Sequence, residues 1–333
     1  MIRQNHFFAS ALGHLLTIVP AMICGCSGDM LHEAPLHRIN FIRFSSEHKW
    51  SAEGSTLDIF AFENSRLKEL DSYQRIEDFT EGYAHIASTG GEKLFFLCAD
   101  GQRTRYEWAD ISAYSSLHSI SCNLENESLH RRTMTGECIA NAGNVISRVK
   151  LRPLTVEIVL EAICSDFSGT PYAEAAIRDV KVYLTNVNAS CQLLYNEGDP
   201  ATRIINTGML NESDLCAFRS KEIIMLNLTE EVDRRTLYPD AHFLCYPNTP
   251  SEDSPGSPFT RLVIEGTIDS HTYYWPITIN PPEGVKRGCR YIYDIFIRRK
   301  GVTDPDTPVD PTSIEFKMSI KPWNEKEEYS VGF

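Results

Sequence analysis

Hydrophobic and polar residues alternate with a period of two along most of the chain. The clearest alternating segments are 57–62, 154–161, 180–185, 261–268, 272–280 and 290–298. Such alternation is typical of β-strands that turn one side towards a core. Residues 261–268 and 272–280, joined by Asp269-Ser270-His271, predict a β-hairpin.

Helical periodicity is weak. Residues 107–118 and 212–218 are the best candidates, and both are short enough to be connections between strands. Many short strands without regular helical crossovers favour antiparallel sandwiches over a parallel α/β sheet. A length of 333 residues suits two domains. We therefore expect an all-β protein with two β-sandwich domains in tandem, residues 26–147 and 148–333.

The first 25 residues predict an export signal. Arg3 supplies the positive start, residues 7–23 form the apolar segment, and small residues come after it. The sequence Ile23-Cys24-Gly25-Cys26 resembles the bacterial lipobox, in which an aliphatic residue and small residues precede an acylated cysteine. We predict that Cys26 carries the lipid and becomes the new N-terminus, since Gly25 stands before it, whereas bulky residues precede Cys24. An ordinary secretory signal is the alternative.

The C-terminal segment is predicted to form an arm. Residues 301–311 contain Pro305, Pro308 and Pro311, which favour extended backbone and separate residues 312–333 from the preceding strand. Strict alternation then begins, is interrupted by Pro322-Trp323, and resumes at residues 329–333. Its apolar positions are Ile314, Phe316, Met318 and Ile320.

Composition excludes several classes of function. Acidic residues number 45 against 32 Lys and Arg, and no basic block interrupts this surplus, so we expect no nucleic-acid partner. Sequence motifs for nucleophilic catalysis, metal binding and phosphate binding are absent, so we expect no catalytic residues, no metal and no cofactor. A glycosidase carboxylate pair would leave no short motif and stays open as a weaker alternative.

Cysteines and aromatic residues leave two further questions. Eight cysteines lie beyond Cys26 without metal-ligand spacing, and we expect most to be reduced core residues with at most one or two disulfides. Tyr273-Tyr274-Trp275 could be a sugar-stacking platform. Alternation places Tyr273 and Trp275 on one face and Tyr274 on the other, so we favour ordinary strand packing.

Three stretches in order resemble the fimbrillin superfamily, the type V pilus lipoproteins of Bacteroidales. They are residues 57–62 with 70–73 and 91–99, then 152–156 with 180–187, then 260–266 with 273–277 and 287–291. The set covers most of the chain after the lipobox. One departure concerns Arg287-Gly288-Cys289-Arg290, where family members often carry Arg-Asn before a Tyr.

The resemblance implies two transthyretin-like β-sandwich domains and a surface lipoprotein of the outer membrane that acts as a pilus subunit or adhesin. It also implies assembly with itself or other pilus subunits by strand exchange, after a protease cuts behind an Arg near the first strand. Arg38 and Arg43 are the candidate cut sites, and residues 36–44 the removable strand; a permanent strand is equally compatible with the sequence. The terminal arm would be the donor strand. The alternative function is carbohydrate binding in a glycan-uptake system, which an outward Trp275 would favour; the adhesion ligand stays open.

Overall fold

The computed structural model describes residues 37–42, 55–79, 83–142, 146–147, 149–250, 252–254, 256–281, 284–323 and 329–331. The first nine strands are β1 (His37–Ile42), β2 (Leu57–Glu63), β3 (Leu70–Ile76), β4 (Tyr83–Ser88), β5 (Gly91–Ala99), β6 (Ser121–Asn123), β7 (Met134–Ala142), β8 (Ile146–Ser147) and β9 (Arg152–Pro153). The next are β10 (Val156–Ser165), β11 (Arg178–Thr185), β12 (Val187–Asn188), β13 (Ser190–Gln192), β14 (Ile204–Ile205) and β15 (Met225–Asn227). The last are β16 (Ala241–Cys245), β17 (Arg261–Ile268), β18 (His271–Thr278), β19 (Cys289–Ile297), β20 (Ile314–Pro322) and β21 (Tyr329–Val331).

The predicted all-β class is confirmed, and the described helices are short 3-10 turns. These turns are Glu107–Asp110, Tyr114–Ser119, Leu124–Asn126 and Lys221–Ile223. The weak helical pattern at 107–118 thus becomes two of these turns, and residues 212–217 form hydrogen-bonded turns. Segments this short cannot offset the cost of helix nucleation unless packing supports a regular helix.

Two sheets form the N-terminal sandwich. A three-stranded sheet has the order β4-β1-β8, and a five-stranded sheet has the order β3-β2-β5-β7-β9. Ile86 of β4 belongs to the same buried cluster as Ile59 of β2 and Leu97 of β5, so the two sheets enclose one apolar core.

Strand β2 is buried on both sides, unlike the half-exposed strand that alternation predicts. Leu57 and Ile59 face the core between the two N-terminal sheets, whereas Phe60 and Phe62 face a second, larger core. Residues after β5, including the buried Trp108, cover that second side. Apolar residues at consecutive positions of β2 therefore serve two cores.

The C-terminal sandwich packs a sheet of order β16-β10-β19-β20-β21 against one of order β15-β11-β17-β18. The predicted hairpin is present as β17 and β18, with Arg261 opposite Thr278 and Ile268 opposite His271. Two pairings, β10 with β19 and β1 with β8, are parallel, whereas the sequence pattern predicts only antiparallel sheets. Local alternation does not encode strand direction, because both directions place side chains on alternate faces.

The two sandwiches share contacts within one compact unit, residues 35–333. Strand β6 of the N-terminal half pairs with β13 of the C-terminal half. Beside it, the buried Glu127 carboxylate accepts hydrogen bonds from Gln102 at 2.7 Å and from Tyr246 at 3.0 Å. The predicted domain boundary at residues 147 and 148 stays a prediction.

Candidate assembly site

Strand β1 lies in the middle of its sheet. It pairs antiparallel with β4 along six residues, from His37 opposite Ser88 to Ile42 opposite Tyr83, and parallel with β8 at Asn40 and Phe41. Both neighbouring strands would therefore lose a partner if β1 left. Unpaired strand edges of this kind are templates for another extended segment.

The core beneath this sheet is strongly apolar. Ala84 and Ile86 of β4, together with Phe95 and Leu97 of β5, are at most 2% exposed. Removal of a central strand above such residues would expose apolar surface at a cost of about 25 cal/mol per Å². A segment that replaces β1 must therefore bring apolar side chains as well as backbone hydrogen-bonding groups.

The predicted arm is strand β20, and it pairs antiparallel with β19 of its own sandwich from Ile314 opposite Ile297 to Pro322 opposite Cys289. Ile314 and Met318 are buried, and Phe316 and Ile320 pack on the same core while half-buried. Strand β21 adds to its other edge. The four apolar residues thus face inward together, as the alternation predicts.

Arg261 of β17 joins the loop before β17, residues 246–258, to the proline-rich segment 301–311. Its guanidinium donates to Asp253 at 2.8 Å in the loop before β17, and it also pairs with Asp306 in the loop before the arm. Val302 forms a two-way backbone pair with Tyr274 of β18. The connection that leads into the arm is therefore attached to the sheet opposite the arm.

A charged cluster occupies the outer side of the arm's sheet. Glu157 of β10 is 2% exposed and accepts hydrogen bonds from Arg132 at 3.2 Å, Arg290 at 2.7 Å and His242 at 2.6 Å. Arg132 belongs to the N-terminal half, so the cluster connects the two halves. His242 also contacts Asp240 at 2.9 Å, which gives both ring nitrogens a carboxylate partner.

Opposing effects set the ionisation of this cluster. Burial by itself would raise the pKa of Glu157, but the hydrogen bond from His242 and the charge of Arg132 outweigh it and lower that pKa to about 2. The hydrogen bond to Glu157 raises the pKa of His242. Burial lowers the pKa of Arg132, partly offset by Glu157. Glu157 is therefore a carboxylate at neutral pH.

The structure brings together only some of the predicted site residues. The four apolar residues of the arm lie side by side, and Arg38 lies within β1. Cys26 and Arg43 lie outside the described residues. The arm and β1 belong to different sheets.

Sequence reasoning missed the Glu157 cluster. The available signal was a carboxylate within the apolar segment 154–160, at a position that alternation assigns to an exposed face. Contact with Arg132 from the other half covers that face, and no local pattern predicts such a contact.

Four of the eight cysteines of the body are buried: Cys98, Cys122, Cys191 and Cys245. Burial raises the pKa of Cys245 to about 12, which keeps the thiol protonated and poorly reactive. Buried thiols of this kind behave as small apolar residues. Half of the cysteines are core residues, fewer than the sequence analysis expects.

Trp275 is fully buried in the C-terminal core, and its indole N–H donates to the Arg299 carbonyl at 3.0 Å. Tyr273 packs beside it, with ring centroids 6.5 Å apart. Strand packing therefore explains these aromatic residues, and Trp275 offers no surface for a sugar ring.

A cleft of about 790 Å³ adjoins residues 170–176, and its polar lining includes Arg178, Glu174, Asp179, Glu231 and Asp269. It contains none of the predicted site residues.

Within the described part of the chain, His, Cys, Asp and Glu side chains form no group of three or more suited to a metal ion. The described helices include none with the length and apolar character to cross a membrane.

Comparison with known proteins gives matches at the level of structure. Neither a protein-family model nor a curated protein sequence matches the chain at a significant level. A solved structure from Bacteroides eggerthii, described as a cell adhesion protein, is similar with a TM-score of 0.66 and 14% identity, covering 87% of this chain and 97% of that one.

Two further solved structures have the same architecture. One, from Parabacteroides distasonis and also described as a cell adhesion protein, has a TM-score of 0.63 and 16% identity over 88% of this chain and 98% of that one. The other is a fimbrilin from Porphyromonas gingivalis, with a TM-score of 0.60 and 11% identity over 87% of this chain and 97% of that one. At these identities the similarity shows a shared fold, which is the fold that the sequence resemblance implies.

Proposed function

We propose that this chain is a subunit of a pilus or of a related adhesion fibre on the bacterial surface, and that subunits join by strand exchange. The observation that carries the proposal is the central position of β1 between β4 and β8 above an apolar core. The similar fold of a fimbrilin supports the same function.

Strand exchange gives the arm and β1 complementary roles. Cleavage after Arg43 separates all of β1 from the body, whereas cleavage after Arg38 cuts within β1 and separates only its first two residues. Departure of the strand leaves β4 and β8 with unpaired backbone groups. The arm of a second copy, or of another pilus subunit, supplies a nine-residue strand with four apolar side chains on one face. Main-chain hydrogen bonds then give affinity, and the apolar side chains give register.

Strand exchange predicts that the cleaved full-length protein forms ladders of SDS-resistant multimers on gels, and that truncation after Asp310 abolishes them. Met318→Asp should also abolish the ladder, because Met318 faces the core and is 3% exposed. Lys317→Gln is the control, since Lys317 is exposed on the same strand and glutamine adds no negative charge opposite Asp294 of β19; its ladder should equal that of the wild type.

A mixing experiment separates loss of donation from loss of folding. The uncleaved wild-type protein can donate its arm but cannot accept one, because β1 still fills its groove. The cleaved Met318→Asp protein can accept an arm but cannot donate its own. Their mixture should give dimers and nothing longer. Ladders from the truncated chain would show that the arm is not the donor, and a full-length chain that stays monomeric after cleavage would refute strand exchange.

Lipid attachment at Cys26 would hold the precursor in the outer membrane. Cells fed an alkyne fatty acid should label the wild-type protein and the Cys24→Ala variant equally, while Cys26→Ala should lose the label. Two or three acyl chains suffice for stable anchoring, where one does not. Equal labelling of Cys26→Ala would refute the anchor, and loss of label in Cys24→Ala alone would move it two residues upstream.

A further inference from the structure

The residue directly after the arm's strand, Trp323, contacts both arginines of the Glu157 cluster. The guanidinium carbon of Arg132 lies 4.0 Å from the centroid of the indole ring, and that of Arg290 lies 4.3 Å from it. Both distances are within the range of cation–π attraction, and Trp is the aromatic side chain that binds cations best. The Trp323 amide also donates to the Gly288 carbonyl at 2.8 Å.

Glu157 makes this arrangement possible. Two guanidinium groups beside one ring repel each other, and the charge of Arg290 contributes to the lowered pKa of Arg132. One carboxylate oxygen of Glu157, Oε2, accepts from both Arg132 and Arg290 and so offsets the repulsion. A buried anion thus holds two cations in the positions that contact an aromatic ring.

The contact lies at the end of the arm, in the part of β20 where no residue is fully buried. Ile314 and Met318 are buried, but the last residues of β20, from Ser319 to Pro322, are only partly covered. Pro322 ends the strand and has no amide hydrogen to donate. Trp323 therefore attaches the weakly buried end of the arm to β19 and, through Arg132, to the N-terminal half.

We propose that Arg132, Arg290 and Glu157 form a binding site for an aromatic side chain, and that its occupant, Trp323, retains the arm on its own subunit until strand exchange. We call these four residues the Trp323 site. The proposal rests on the proposed function for its biological role, but retention of the arm is a property of the single subunit. It assigns a role to the Pro322-Trp323 interruption, which neither the core nor the donor strand explains.

Hydrogen–deuterium exchange on the uncleaved full-length monomer tests the site directly. In Trp323→Leu, which keeps apolar volume but removes the aromatic face, amides of residues 314–321 should exchange about tenfold faster than in wild type. Trp323→Phe should fall between the two, because it restores an aromatic ring. Lys317→Ala, an exposed change on the same strand, should leave the arm's exchange unaltered.

Peptides from β17 serve as the internal reference. Unchanged protection of the arm in Trp323→Leu would overturn the proposal, and so would equal loss of protection in β17 and the arm, which indicates global destabilisation. Selective loss in the arm supports it, as would faster ladder formation by cleaved Trp323→Leu.

The two proposals fail separately. If Trp323→Leu speeds exchange in the arm but no cleaved variant forms multimers, the proposed Trp323 site is supported and strand exchange is refuted. If Met318→Asp abolishes the ladder while Trp323→Leu leaves hydrogen–deuterium exchange in the arm unchanged, strand exchange is supported and the proposed Trp323 site is refuted.

Discussion

Glu157→Ala is expected to lower the free energy of unfolding by about 3–5 kcal/mol at neutral pH. The substitution leaves Arg132, which is 5% exposed, buried without its carboxylate. It also removes the carboxylate that pairs with Arg290 and one of the two carboxylates that contact His242. Urea denaturation monitored by fluorescence and circular dichroism measures the change.

Glu161→Ala is the matched control, because Glu161 belongs to the same strand but is exposed. Its effect should stay within about 0.5 kcal/mol. Equal, small effects of the two substitutions would contradict the view that the Glu157 cluster is a buried structural connection between the halves.

The Glu157 cluster should also make the free energy of unfolding depend on pH. The folded-state pKa of Glu157 is lowered from 4.5 to about 2, so its stabilisation is present above pH 4.5 and is lost as the pH falls towards 2. The raised pKa of His242 has the opposite effect on the pH dependence of stability. The stabilisation from protonated His242 is complete below pH 6.5 and is lost as the pH rises through its folded-state pKa. The stability difference between wild type and Glu157→Gln should therefore narrow between pH 5 and pH 2.

Phe60→Ala is expected to cost about 3–5 kcal/mol of unfolding free energy, the usual range for a fully buried phenylalanine. Phe60 is 0% exposed, and its ring centroid lies 4.8 Å from that of Tyr73 and 5.2 Å from that of Trp108. The substitution therefore removes apolar burial, opens a cavity and breaks several ring contacts. Differential scanning calorimetry and urea titration both report the loss.

Ile139→Ala is the control for Phe60→Ala. Ile139 is apolar and lies in the same sheet, but it is 58% exposed, so its loss should change stability by no more than about 0.5 kcal/mol. A small effect of Phe60→Ala would mean that the second side of β2 is not a core, as single-faced alternation would have predicted.

The strands of the C-terminal half agree closely with the sequence pattern. The predicted strands at 261–268 and 272–280 correspond to β17 and β18, and the segment 290–298 to β19. These segments have strong alternation and clear turn residues between them, so local pattern and tertiary packing agree. The pattern did not encode that β10 pairs in parallel with β19, since partner and direction depend on distant segments.

Some features of the candidate assembly site are visible in the sequence, and others depend on distant segments. The donor face of the arm is visible in the sequence because four apolar residues alternate with polar ones. The central place of β1 is not visible, because a six-residue alternating strand has the same pattern at the edge of a sheet as in its middle. Lipidation at Cys26 depends on a local motif and stays a prediction from sequence.

The sequence by itself determined the all-β class, most strand positions and the inward face of the arm, because side-chain alternation is a local property of extended backbone. Only the tertiary structure decided that β2 has two buried faces, that Glu157 is enclosed by cations, and that Trp323 lies against Arg132 and Arg290. These features arise where segments far apart in the chain meet. Burial of a charged residue depends on its partners, which a local pattern does not contain.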